Sequence, residues 1–297
     1  MIGVKLNGRL GNQLFQYAFG YSASKKLKVN FYLLKTGTPI DIYRYFKLEK
    51  NLFYLIDIIF FNTKVGKLLF SHYLRRVFYG FISSLKIRQT KLINYTESPE
   101  AINNALEDKT NYDGFFQSEV HFENYKEKII EIFKIKDKYQ KIFNLKFRNI
   151  LLKPRKVVIH IRKTDYLELG HLNLGGKDLS IPLKYYHRII KQIHDESNYY
   201  IIISDDPLSI KNEFDYLTNK YISFNNEIID FQLMLSADIC VISNSTFSWW
   251  AAYLNNNKDK SVYCPQYFLG HLIKEEYPIN IYPPNWIQIP IDHIDKF

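Results

Sequence analysis

The stretch "KVVIHIRKTDY", Lys156–Tyr166, begins as a run of β-branched residues and ends in a knot of charge. Val157, Val158, Ile159 and Ile161 read as a buried strand over 156–161. Alternation sends His160 and Arg162 to one face until the strand ends and the loop re-aims them. His160, Arg162, Lys163 and Asp165 are poor choices for a strand that needs only burial. Two adjacent cations at the carboxyl end of a strand suit a diphosphate, the arginine as a fork and the lysine as a point charge. The plainer alternative is a surface Arg162–Lys163 pair with Asp165 as its salt-bridge partner.

The sequence downstream turns this strand into a fold. Helix is predicted over 181–196 with Pro182 in its first turn, and strand over 199–204. A helix over 206–217 follows, with Asp206 as N-cap and Pro207 at its first position. Strand 221–224, helix 230–237, strand 238–243, helix 245–254 and strand 261–265 complete the alternation. Crossovers this short give a parallel, doubly wound sheet with helices on both faces, and ligands of such sheets bind at the carboxyl ends of the strands. The chain opens in the same style, with strand 2–6, helix 12–27 and strand 29–34. Beyond residue 40 the pattern is helical and aromatic, with weak punctuation. The charged segment 134–155 marks a boundary or hinge. The expected organisation is two Rossmann-type α/β lobes facing a cleft, residues 1–150 and 151–297.

Three more clusters carry chemistry. In "ISNSTFSWW", 242–250, Asn244, Ser245 and Thr246 open a helix after a strand. Side-chain oxygens there cap the first turn, and outward backbone N–H groups make an anion site without lysine. Ordinary capping is the alternative, and Trp249 and Trp250 read as packing residues. In "ISDDP", 203–207, the paired aspartates either ligate a metal or cap a helix and hydrogen-bond a ligand, and Pro207 favours the second. Asp230 in "EIIDFQLM" is either an N-cap or a carboxylate that reads the paired N–H donors of a guanine. Together these residues describe a nucleotide-diphosphate site lacking both the GK[ST] loop and the GxGxxG fingerprint, which points to a user of nucleotide sugars.

Charge is uneven. Residues 1–150 hold 25 Lys/Arg against 13 Asp/Glu, and residues 151–297 hold 15 against 17, so the whole basic excess lies in the first half. It peaks over Lys64–Lys91, with seven Lys/Arg and no Asp or Glu among aromatic and aliphatic residues. That is the pattern of a cationic amphipathic face on an anionic membrane, or of a helical subdomain with a lysine-rich outside. No nucleic-acid-binding module accompanies the charge. "LFYLIDIIFF", 52–61, is too short to span a bilayer and carries Asp57, and no signal peptide is evident. Cys240 and Cys264 read as buried thiols of a reducing, cytoplasmic protein.

The blocks "GRLGNQLFQYA" (8–18), "HIRKTDY" (160–166), "SDD" (204–206) and "DFQLMLSADICVISNSTFSWWAAYL" (230–254) resemble, in order, the four motif blocks of the α-1,2-fucosyltransferases, glycosyltransferase family 11. More distantly they resemble α-1,6- and protein O-fucosyltransferases of GT-B-like fold. The resemblance implies inverting, metal-independent transfer of L-fucose from GDP-β-L-fucose to the 2-hydroxyl of a terminal galactoside, with no other cofactor. It puts Arg162 on the donor diphosphate, His160 and Asp230 on the guanine side, Ser245 and Thr246 at the β-phosphate, and Asp206 near the nucleoside. Lys163 stands where the family has a second arginine, and no histidine precedes the "NSTFSWW" block.

The chemistry then needs positive charge where GDP leaves: Arg162, Lys163 and the helix start at Asn244–Thr246. Asp165 is the first candidate base and Glu168 the second, with orientation of Arg162 as the equal alternative for Asp165. Gly8 and Gly11 read as backbone concessions that bring the Arg9 loop near a ligand, with Arg9, Asn12 and Gln13 meeting the fucose and the incoming hydroxyl. Asn12 has capping of the helix as its alternative. The acceptor expected is a galactose-terminated, lipid-linked surface-polysaccharide precursor at the inner face of a membrane.

Overall fold

The computed structural model describes residues 1–35, 40–50, 52–57 and 71–291. The chain divides into two compact units, Met1–Ile135 and Lys136–Phe297. The charged segment beginning at 134 therefore lies almost wholly in the second unit, where Asp137–Leu151 is a helix.

The first unit holds four strands, β1 (Ile2–Leu6), β2 (Phe31–Lys35), β3 (Gln89–Leu92) and β4 (Thr110–Asp113), in the order β2-β1-β4-β3. All three pairings are parallel. Helix α1, Leu10–Leu27, follows β1 and is buried on nearly every side, from Leu14 and Phe15 to Phe19 and Ala23. Its apolar residues pack inward, Phe19 meeting Phe116 in a ring stack with centroids 3.7 Å apart, and the buried Gln13 and Gln16 amides are hydrogen-bonded.

The basic stretch departs from its expected form. Lys64–Phe70 lies outside the described residues, Ser71–Lys86 forms α2, and the stretch ends in β3. Arg75 of that helix is not on the surface: its Nε and Nη2 grip both oxygens of buried Asp57 at 2.8 and 2.9 Å. The Tyr43 and Tyr79 hydroxyls donate to the same carboxylate, and Arg75 also donates to Leu33 O of β2. Asp57 is thus a satisfied buried anion, the arrangement under which a buried charge is tolerated. The outer side of α2 keeps Leu74, Val77, Phe81 and Leu85 exposed beside exposed Arg76 and Lys86.

The second unit holds six strands, β5 (Arg155–Ile161), β6 (Asn198–Ser204), β7 (Lys220–Ile222), β8 (Ile239–Val241), β9 (Ser261–Pro265) and β10 (Ile287–Ile289). Their order is β10-β9-β8-β5-β6-β7, parallel throughout. Val157, Ile159 and Ile161 face α3, Leu183–Ile193, through Tyr185, Tyr186, Ile189 and Ile190. The opposite face meets α4, Glu227–Leu235, and α5, Thr246–Leu254: Cys240 Sγ lies 3.9 Å from Met234 O, and the His160 ring tilts on Phe247.

One predicted helix is absent. Residues 206–217 form successive turns, closed by i→i+3 bonds such as Glu213 N to Ile210 O and Leu217 N to Phe214 O. Ile210, Phe214 and Leu217 still bury at helical spacing, so the apolar pattern was real. Asn212 and Asp215 among them are residues that favour local turns over helix. Trp249 and Trp250 are fully buried, as packing residues are. Both cysteines are buried and free, and burial pushes the Cys240 thiol up to about 12. Among the described residues no helix is long and apolar enough to cross a membrane.

Candidate functional site

The strand order of the second unit reverses between β5 and β8, since β5 leads outward through β6 and β7 and the chain returns to β8 on the other side. Ligands of open parallel sheets bind outside the carboxyl ends of strands at such a reversal. Across this seam His160 Nδ1 pairs with Ser243 Oγ at 2.9 Å. Burial, reinforced by Arg162, pushes the His160 pKa down to about 3, so the ring is neutral near pH 7. His160 is therefore a buried hydrogen-bonding post rather than a cation.

Arg162 follows at the strand end with its side chain mostly buried. Its Nη2 lies 2.6 Å from Asp165 Oδ1 and its Nε 3.2 Å from Asp205 Oδ2, while its guanidinium stands 5.5 Å over the Tyr166 ring. Two ion pairs and an aromatic face thus flank the guanidinium, whose buried Nε makes no hydrogen bond among the described residues. Asp165 is half exposed, and its Oδ1 meets Arg162 and also takes the Thr164 hydroxyl at 3.3 Å, an arrangement that orients the arginine. Glu168 is exposed and pairs with Lys177 at 2.8 Å. Lys163 donates its backbone N–H to Asp205 Oδ1 at 2.8 Å, and its side chain makes no ion pair among the described residues.

Asp205 is the residue that sequence reading passed over in favour of Asp206. Its carboxylate also accepts the Thr164 hydroxyl, so it ties Arg162, Lys163 and Thr164 into one turn. The signal was present in the register: Ile161 lies opposite Ser204, so the next residues, Arg162 and Asp205, emerge side by side. Asp206 instead closes the following turn, with its N–H on Ser204 Oγ and its Oδ1 taking Ser209 N at 3.3 Å.

Tyr166 links this turn to the β8–α5 loop by donating to Asn244 O at 2.9 Å. Asn244 is fully buried; its Nδ2 donates to Leu179 O at 2.7 Å, while its Oδ1 is buried without a partner among the described residues. Ser245 is the N-cap of α5 but its hydroxyl makes no capping bond, contrary to the expected side-chain cap. Ser248 Oγ donates to Ser245 O at 3.0 Å. Thr246 is half-buried in the first turn. Arg162, Asp165, Asp205, Tyr166, Asn244 and Ser245 are therefore one connected group.

Asp230 stands apart, past the end of β7. It is not an N-cap: α4 begins at Glu227, and Asn226 caps it through Ile229 N. The Ser223 hydroxyl donates to Asp230 Oδ1, and Asn225 Nδ2 in turn donates to Ser223 Oγ at 2.7 Å. Burial, and then nearby Glu227, outweigh the Ser223 bond and push the carboxyl up to about 7. The rings of Phe231 and Phe247 connect this corner to His160. Among the described residues no group of three His, Cys, Asp or Glu is arranged to hold a metal ion.

In the first unit, Gly8 has φ +73°, which a side chain rarely adopts, so the loop after β1 needs glycine there; Gly11 lies within α1 and has no such need. Arg9 is exposed. Asn12 sits within the first turn of α1 and accepts from Gln117 Nε2 at 2.9 Å, so it does not cap the helix. Gln13 is fully buried, with Nε2 on Gly8 O and Oε1 taking Asp41 N, which makes it a brace for the loop rather than a group facing a ligand.

With this geometry in hand, comparison with known proteins gives a family match, two related sequences and a related fold. The description "Glycosyl transferase family 11" matches residues 1–290. An alpha-1,2-colitosyltransferase of Escherichia coli is 29% identical over 272 residues, 86% of this chain and 88% of that protein. The O-antigen biosynthesis glycosyltransferase WbnK of the same species is 28% identical over 306 residues, 90% of this chain and 94% of that one. Among solved structures, the NodZ alpha-1,6-fucosyltransferase from Bradyrhizobium aligns with TM-score 0.51 at 10% identity, covering 85% of this chain and 92% of that one, a likeness of fold.

Proposed function

The chain belongs to glycosyl transferase family 11 and has a GT-B-like α/β fold, and from that premise we propose that it transfers L-fucose from GDP-β-L-fucose to the 2-hydroxyl of a terminal galactoside. The observation that carries the reading is the Arg162 fork, held by Asp165 and Asp205 beside the Asn244–Ser245 helix start. In this reading residues 151–297 bind the donor and residues 1–150 the acceptor. As the C1–O bond breaks, charge grows on the GDP oxygen. Arg162, Lys163 and the first turn of α5 stabilise that charge, which is the role a metal would otherwise fill. The Asn244 Oδ1, buried and unpartnered, then meets a donor from the ligand. Asp230 reads the guanine. Asp206 lies by the nucleoside, and Arg9 and Asn12 meet the sugar. The acceptor hydroxyl loses its proton to Asp165, on the carboxylate oxygen other than the Oδ1 that pairs with Arg162, so the brace on the guanidinium is kept; Glu168 is the second candidate.

One relative's name gives colitose as the sugar moved and α-1,2 as the linkage, and another's places it in O-antigen synthesis. The test therefore measures GDP release from GDP-fucose and GDP-colitose, with and without a panel of β-galactosides. Acceptor-dependent release with galactosides but not 2-deoxygalactosides is expected, and it persists in EDTA. Release on other acceptors only would move the reading to another linkage. Absence of release from both donors across the panel would leave a non-catalytic protein of this fold.

The exposed row Leu74, Val77, Phe81 and Leu85, flanked by Arg76 and Lys86, favours a second property, peripheral binding to an anionic bilayer where a lipid-linked acceptor is presented. Vesicles with anionic lipid should sediment the protein and neutral vesicles should not. Phe81→Ser with Lys86→Gln should weaken sedimentation; unchanged binding would remove the α2 face from consideration.

A further inference from the structure

The first unit has its own reversal of strand order, between β1 and β4, because β2 lies on one side of β1 and β3 lies beyond β4. At the carboxyl ends of these two strands Asp113 accepts from Lys5 Nζ at 2.6 Å and from Asn7 Nδ2 at 2.9 Å. A fifth of its side chain and a third of that of Lys5 remain exposed, so the pair is open to a ligand. Two residues on, Phe115 stacks on Tyr95 with ring centroids 5.1 Å apart and planes within 11°. Both rings are half-buried, a shared aromatic slab with part of its surface toward solvent. The bend between carboxylate and ring is fixed. Ile93 N donates to Asp113 O, buried Gln16 donates to Gly114 O, and a Cβ on Gly114 would come within 2.9 Å of Ile93 Cβ.

None of these residues has a part in the donor chemistry above. We propose that Asp113, Asn7 and the Tyr95–Phe115 slab form a subsite for a neutral hexopyranoside of the acceptor. A pyranoside offers an apolar C–H face to an aromatic ring and hydroxyl donors to a carboxylate. Asp113 has lone pairs left after its two bonds, since an ionised carboxylate accepts about four. Its charge is already balanced by Lys5, so the site has acceptor oxygens but no net positive charge. A phosphate or a second nucleotide would meet the Asp113 oxygens as like charge, which leaves an uncharged sugar as the fitting ligand. The acceptor identity rests on the reading of the chain as a galactoside transferase; the saccharide subsite does not.

Phe115→Ala and Tyr95→Ala are expected to raise the acceptor KM at least tenfold with kcat within threefold and GDP affinity unchanged. Asp113→Asn, which keeps the side-chain shape, is expected to act in the same direction. Saturation-transfer NMR with methyl β-galactoside and lactose gives a readout independent of turnover: signal in the wild type, lost in Phe115→Ala. An unchanged far-UV circular dichroism spectrum and a cooperative melt certify that each variant is folded, and Tyr95→Ala, in the loop after β3, serves if Phe115→Ala does not fold. An unchanged KM and an unchanged NMR signal in folded variants overturn the subsite. A wild type that shows saturation transfer but no acceptor-dependent GDP release overturns the transferase reading and leaves the subsite standing. A wild type with neither signal overturns both.

Discussion

Arg162→Ala is expected to lower turnover about 10²–10³-fold, the effect of deleting one preorganised donor to developing negative charge. The side chain is prepared for that task before any ligand arrives. Asp165 and Asp205 hold it at 2.6 and 3.2 Å and Tyr166 lies beneath it, so little ordering remains to be done when GDP leaves. Arg162→Lys restores the charge but not the fork, and should recover only part of the loss. Asp205→Asn tests the positioning separately. It leaves Arg162 present but weakens its brace and the Lys163–Thr164 turn, so kcat should fall several-fold with a smaller change in GDP affinity. The measurement is steady-state GDP release with saturating acceptor, alongside calorimetric GDP binding. Near-normal turnover in a folded Arg162→Ala protein would falsify the diphosphate assignment, and with it the observation on which the proposed function stands.

The parts of this molecule that were legible in its sequence are those where one physical signal dominates. Continuous β-branched runs such as 156–161 and 199–204 declare buried parallel strands, and both are strands. Residues 206–217 show the limit. Their buried Ile210, Phe214 and Leu217 keep helical spacing, yet the backbone closes turn by turn, because periodicity reports burial and not hydrogen bonding. In the site, Arg162 was visible as a charge misplaced on a strand, but Asp205 became visible only when register set it beside Arg162. The burial of Arg75 was not legible for the related reason that its partner, Asp57, is 18 residues away and no local pattern pairs them. Gln13 looked like a ligand-facing amide in a polar motif, and tertiary contacts to Gly8 and Asp41 absorb it. Pairings made across the fold are what a single sequence hides.

Asp230→Asn is expected to lower GDP affinity about a hundredfold, roughly 2.7 kcal/mol, and at the same time to stabilise the protein at alkaline pH. Both effects come from one buried carboxylate. Guanine presents two N–H donors, and only the ionised form offers acceptors to both. Burial holds that carboxyl at about 7, so GDP binding must take it as the anion and release a proton when the pH is below 7. Wild-type affinity should fall close to tenfold for each pH unit below that point, while the amide variant shows no such dependence.

The stability sign is the reverse of that for an ordinary acidic group. The folded pKa, about 7, lies above the ordinary aspartate value of 3.8, so the folded state holds this proton more tightly than the unfolded chain. That contribution is fully present below pH 4 and is lost as pH rises to 7, leaving an unpaired buried anion above it. Asparagine can still accept from Ser223 and carries no charge, so its melting temperature should exceed that of the wild type at pH 8 and converge with it near pH 4. Thermal melts at the two pH values, with GDP titrations at pH 6, 7 and 8, separate the outcomes. A variant that gains stability at pH 8 and loses GDP shows that the fold tolerates a buried charge there for the sake of the base. A variant that gains stability and keeps GDP removes Asp230 from the guanine site and leaves its burial without a function.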